Sequence, residues 1–163
     1  MKYISDLEDK IKLIQRHFSA LIGGEVQGYE LAQIWCDEER KWDNWMDIPL
    51  FLVIDGTALS ISWSKFDDLG IEKGRVLPFS LGGSTVRWLC EGVELIDPII
   101  GKKIDSISIG KDEISIEEKE IEIWIRLLIK FEDGETFEIF NALDENGIEL
   151  HNGKVQGIAK KCI

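Results

Sequence analysis

Three cysteines, three prolines and two histidines are scarce supplies for a chain of 163 residues. Cys36, Cys90 and Cys162 stand far apart, form no CxxC pair and are odd in number. That argues against a disulfide framework or a zinc site and favours a reducing cytoplasm. His17 and His151 lie near opposite ends, and nothing in the sequence joins either to a nucleophile or a second base. Neither is therefore read as catalytic. The longest apolar run, Ile48-Pro-Leu-Phe-Leu-Val-Ile54, falls far short of the roughly 20 residues that a membrane span needs. The N-terminus is charged from the start and has no apolar segment, so no secretory leader is expected. Walker loops, GxGxxG, GxSxG and HExxH are all missing. No catalytic, cofactor-binding or metal-ligating residue is assigned, and no cofactor is expected.

Positive charge is also in short supply. Lys and Arg number 19 against 31 Asp and Glu, a net of 19 − 31 = −12 with a pI near 4.6. Such a surface repels phosphate backbones, which excludes stand-alone nucleic-acid binding. The deficit is uneven. Residues 91–150 hold 17 acidic and 6 basic side chains, a net of −11, while 1–90 hold 14 and 10.

What is present is a globular composition, 44% hydrophobic, sufficient for one core. Residues 5–19 predict a helix. Ser5 and Glu8 make a capping box, and Leu7, Ile11, Ile14 and Phe18 form one apolar stripe. A repeat follows at a spacing of 78 residues. Ile22-Gly23 matches Ile100-Gly101, Leu50 matches Leu128, Asp55-Gly56 matches Asp133-Gly134, and Ile61 matches Ile139. The offset then drops to 77, where Asp67 matches Asp144 and Gly70-Ile71-Glu72 matches Gly147-Ile148-Glu149. The copies span 21–72 and 99–149, joined by a connector, 73–98, and followed by a tail, 150–163. Each is too small for its own core, so one domain, 1–163, is expected in which the copies share one.

The expected class is α+β, mostly antiparallel β: an N-terminal helix, then two tandem β-rich repeats. Residues 118–131 alternate strictly, with Ile121, Ile123, Ile125, Leu127, Ile129 and Phe131 on one face. Register arithmetic at Asp133-Gly134 favours a three-residue loop, which pairs Ile129 with Phe137 and Leu127 with Ile139. The same turn is expected at Asp55-Gly56, pairing Phe51 with Leu59. Further strands are expected at 26–35, 104–109 and 114–117, the last two joined by a turn at 110–113. Residues 36–47 read as strand, loop and strand. The connector suggests a strand near 75–80 and a short helix near 84–90, with Ser84 as its cap.

The remaining motifs point to contact rather than chemistry. Gly82-Gly83-Ser84-Thr85 lacks the lysine of a phosphate loop and reads as a turn. The carboxylates at 37–39, 43 and 47 match no calcium loop. Trp42 and Trp45 sit in a charged stretch, as interface anchors do. Trp124 falls by phase on the same face as Glu118, Glu120 and Glu122. This acidic row could imitate a phosphate backbone, or simply solvate a strand edge. Trp42, Trp45, Glu118, Glu120, Glu122 and Trp124 are the candidate partner-binding residues.

In size, acidity, tryptophan content and want of catalytic residues, the chain resembles small acidic bacterial immunity proteins, which bind and block a cognate toxin. The resemblance implies a non-catalytic protein-binding module acting on a basic partner, such as a toxin or nuclease. Two other readings stay open. One is a structural or assembly subunit. The other is a carboxylate-dependent hydrolase with Asp67 and Asp144 in its pocket.

Overall fold

The computed structural model describes residues 1–116 and 119–163, and side chains outside 113–119. Helix α1 runs Leu7–Phe18, and its buried face carries Ile11, Ile14 and Phe18. Its cap is Asp6 rather than Ser5: the Asp6 carboxylate accepts the Asp9 amide at 3.0 Å. Ile4 explains the difference. It is held extended by two backbone hydrogen bonds to Leu69, of 3.0 and 2.9 Å, so the chain turns helical only afterwards. Twelve residues make a marginal helix in isolation. Burying large apolar side chains, at about 1.5–3 kcal/mol each, is what fixes it.

Two antiparallel sheets follow. The first contains β1 (Val26–Cys36), β2 (Lys41–Asn44), β3 (Leu50–Ile54), β4 (Thr57–Ser64), β5 (Asp68–Lys73) and β6 (Val86–Leu89). Its order is β2-β1-β3-β4-β5, with β6 also paired to β1. The second contains β7 (Ile104–Ile116), β8 (Lys119–Phe131), β9 (Glu135–Asn141), β10 (Asn146–Asn152) and β11 (Ala159–Lys161), in the order β10-β9-β8-β7-β11. Apolar side chains of α1 and of both sheets meet in one continuous cluster, which includes Phe18, Leu52, Ile61, Trp63, Ile107, Leu127 and Phe137. No helix among the described residues is long and apolar enough to cross a membrane.

The strands β1 and β7 meet at their starts. Gly23 N–H donates to Ile104 O at 2.7 Å, and Gly101 N–H donates to Val26 O at 2.8 Å. Val26 N–H donates to Lys102 O at 2.9 Å, and Ile104 N–H donates to Gly24 O at 3.0 Å. Adding 78 to the donor of the first bond, and subtracting it from the acceptor, gives the second (23 + 78 = 101, 104 − 78 = 26). The same operation converts the third into the fourth.

Register follows the sequence in one turn and departs from it in another. Ile129 pairs with Phe137 and Leu127 with Ile139, with Gly134 at φ +90°, as the three-residue loop requires. At Asp55-Gly56, however, Ile54 pairs with Thr57 and Phe51 with Ser60 rather than Leu59. That is a two-residue turn with Asp55 at φ +45° and Gly56 at φ +73°. Aspartate tolerates this region. Asp55 is also pinned by Glu25, whose amide donates to the Asp55 carboxylate at 3.0 Å.

Three other expectations are corrected. Residues 110–113 are no turn, because β7 runs on to Ile116. A register shift between Gly110 and Lys111 absorbs the irregularity: Gly110 pairs with Arg126, and Lys111 with Trp124. Residues 86–89 are strand β6 rather than helix, so Ser84 caps nothing. Val86 and Trp88 alternate toward a small cluster of Ala32, Ile48 and Phe51, and that burial decides for a strand. No strand forms near 75–80.

Candidate functional site

The residues singled out from the sequence fall in two places. On the lobe built by β2, β1 and β6, Trp42 is half-buried and packs edge-on against Trp35, with ring centroids 5.4 Å apart. The Arg87 guanidinium sits 4.5 Å from the Trp42 ring centroid. Trp45 is also half-buried, against the Ala32, Ile48 and Phe51 cluster, and its indole N–H donates to Asp47 at 3.1 Å. Arg75 covers Trp88 at 3.9 Å. On the second sheet, Glu120 and Glu122 are exposed, and Lys111 Nζ donates to Glu122 at 2.6 Å. Glu118 lies outside the described residues. Trp124 is half-buried against the main core, and its carbonyl accepts Lys10 Nζ at 3.0 Å. Trp124 pairs with Lys111 just past the register shift, and unlike Glu120 and Glu122 it is not exposed.

Where β9 ends, the second sheet has a step. Arg126–Phe140 is the last β8–β9 pair, yet β8 reaches back to Lys119 paired with β7. At this step an apolar cleft of about 200 Å³ opens, walled by Ile123 and Ile125 and rimmed by Phe66, Leu143 and Asp144. Phe66 is 63% exposed and Leu143 97%. Lys65, Leu143 and Asp144 have φ of +46°, +60° and +74°. Aspartate tolerates this region, but a lysine or leucine held there costs on the order of 1–3 kcal/mol, and such strain collects at contact sites. Asn141 holds the two turns together: its Nδ2 donates to Lys65 O at 2.5 Å, and its Oδ1 accepts the Asp144 amide at 2.8 Å.

A second groove, of about 280 Å³, shares Ile125 and Asn141 with the cleft. It is lined by Asp112, Arg126, Glu138 and Glu149. Glu138 is 3% exposed and fully engaged. Arg126 donates to both its oxygens, at 2.6 and 2.8 Å, and His151 Nε2 lies 2.6 Å away. Burial pushes the Glu138 carboxyl up, but the hydrogen bonds from Arg126 and His151 outweigh it and hold the group below the ordinary glutamate range. Ligand atoms of Glu138, Glu149 and His151 lie within 4.8 Å of one another, the spacing of a possible cation site. A guanidinium bonded to both Glu138 oxygens occupies the lone pairs a metal would use and repels it electrostatically. As arranged, the cluster is an ion-pair network.

Asp67 and Asp144, matched in the sequence, have different surroundings. Asp67 accepts Lys10 Nζ at 2.9 Å, and Lys10 is completely buried, with its ammonium 5.6 Å from the Trp63 ring centroid. Asp144 rims the cleft. Sequence reading missed Phe66, Leu143, Glu138 and Asn141. The available signal was an apolar residue inside each Asp-rich turn, Lys65-Phe66-Asp67 and Ala142-Leu143-Asp144. Another was a lone glutamate between Phe137 and Ile139. No family model, curated protein or solved structure matches this chain.

Proposed function

We propose that the chain is a non-catalytic, acidic binding module that captures a basic protein in a reducing cytoplasm, as an immunity protein captures a toxin or nuclease. The observation that carries this reading is the step beside β9, where an apolar cleft and a carboxylate-lined groove adjoin through Ile125 and Asn141. A partner residue of apolar type fills such a cleft as a hot spot. Cations beside it find Glu149 and Asp144, which favours basic partners and steers their approach. Exposed Phe66 and Leu143 enlarge the apolar contact. Glu120 and Glu122 extend the acidic side along β8. Trp42 and Trp45 then belong to the packing of the first lobe.

The two meanders, β1-β3-β4-β5 and β7-β8-β9-β10, are read as a duplicated unit sharing one core. The hydrogen bonds exchanged by Gly23, Val26, Gly101 and Ile104 support this, since a 78-residue shift interconverts them. On this reading the copies diverged where they extend past the core. Trp35 pairs with Trp42 in one, while Glu113 pairs with Glu122 in the other (35 + 78 = 113).

Matched pull-downs with the wild-type chain and a Phe66→Asp/Leu143→Asp variant test the reading. Both residues are exposed, so the variant keeps the core. The expected result is a basic protein recovered by the wild type and lost from the variant. Recovery indifferent to the two substitutions, an acidic partner, or no partner would overturn it.

A further inference from the structure

We propose that the groove between the N-terminal segment, α1 and β5 is a binding site for a phosphate-class oxyanion, independent of the step beside β9. The groove holds about 390 Å³, room for a phosphate monoester, and is lined by Lys2, Lys12, Arg16 and His17 together with Asp9 and Glu72. In a chain of net charge −12, a cavity dominated by cationic side chains runs against the bulk composition. Its two carboxylates are already engaged. Asp9 accepts Lys12 Nζ at 2.8 Å, and Glu72 accepts the Lys2 backbone N–H at 2.7 Å. The side chains of Lys2, Arg16 and His17 have no ion-pair or hydrogen-bond partner among the described residues. Arg16 and His17 in the last turn complement the helix dipole, but that does not account for Lys2 on the facing segment.

His17 supplies the second observation. Its Nδ1 is sealed from solvent with no hydrogen-bond partner, a rare condition for a polar atom in a folded protein. The imidazole therefore has only Nε2 to offer a ligand. Burial depresses the His17 pKa, the cations of Arg16 and Lys73 depress it further, and Glu72 opposes them. Lys2 and Lys12 also face the groove, and Asp9, one turn before Lys12 on α1, is bonded to it. An oxyanion bridging Arg16 and Lys2 would offset this cationic field, so binding would raise the His17 pKa and take up protons.

The chain contains its own control, because His151 is the second of two histidines and bonds Glu138 at 2.6 Å elsewhere. Imidazole NMR titrations of the full chain in inorganic phosphate, against equal ionic strengths of chloride and of acetate, read both histidines at once. The expected result is a saturable rise in the His17 pKa with phosphate only, and none at His151. Arg16→Gln, an exposed position, should weaken phosphate binding about tenfold without lowering stability. Equal responses of both histidines, an equal effect of acetate, or unchanged affinity in Arg16→Gln would each overturn the proposal.

Discussion

The Asp67→Asn substitution removes one charge and almost no volume. In the native chain Lys10 is fully buried, with its Nζ 2.9 Å from Asp67 Oδ2 and 3.0 Å from the Trp124 carbonyl. Burial pushes the Lys10 ammonium below the ordinary lysine range, and the hydrogen bond to Asp67 partly restores it. Removing one partner of a buried pair costs about 3–5 kcal/mol. Asp67 is 28% exposed, and Asp68 and Asp6 still act on Lys10. Asp67→Asn should therefore cost about 2–3 kcal/mol, below or at the foot of that range. Lys10→Met leaves the Trp124 carbonyl without its donor and should cost about 1–2 kcal/mol. The double variant should be no worse than Lys10→Met, giving a coupling energy of about 2 kcal/mol in the cycle.

The pH dependence has a definite sign. The folded pKa of Lys10 lies below its unfolded value, so between the two the unfolded chain binds more protons and stability rises with pH. Losing Asp67 lowers the folded value further and widens that window downward. The deficit of Asp67→Asn should therefore shrink from pH 7 towards about pH 10. Urea denaturation followed by tryptophan fluorescence measures both effects. A deficit under about 0.5 kcal/mol, or one that grows with pH, would refute the account of Lys10 as a buried cation held by Asp67.

Two other outcomes follow from the same physics. Arg126→Met strips the buried Glu138 carboxylate of both guanidinium bonds and should cost about 3 kcal/mol at pH 7 by chemical denaturation. The depressed Glu138 pKa contributes stability above the ordinary glutamate pKa and loses it as pH falls through the folded value. The gap to wild type should accordingly narrow below about pH 4, and a gap that stays constant to pH 2.5 would contradict the assignment. Cys162 is buried and its thiol is pushed up to about 11, whereas Cys90 is exposed. At pH 8 a thiol reagent should modify Cys90 within seconds and Cys162 only on unfolding; mass mapping of equal labelling at both would be the contrary result.

Local pattern was enough for several elements. The alternation of Ile123 to Phe131 placed β8, and the stripe of Ile11, Ile14 and Phe18 placed α1. Register arithmetic on apolar faces also chose the loop at Asp133-Gly134, because a slip of one residue would expose every buried side chain. It failed at Asp55-Gly56, where the turn is governed by a contact with Glu25, 30 residues away. The turn expected at 110–113 also failed: the strand continues through a register shift, and Gly110 marks that irregularity rather than a reversal of the chain. The candidate site was less legible than the fold. The acidic row and the tryptophans were visible as composition, but not which of them would stay in water.

The sequence by itself determined an acidic, β-rich chain with an amphipathic N-terminal helix, since charge count and hydrophobic period are properties of neighbours along the chain. Only the tertiary structure decided that Glu138 lies under Arg126 and His151, that Lys10 is buried against Asp67, and that Phe66 and Leu143 rim one cleft. Those facts depend on which strand ends beside which. Strand order and strand length past the core are settled by the packing of distant segments, so no local window of sequence contains them.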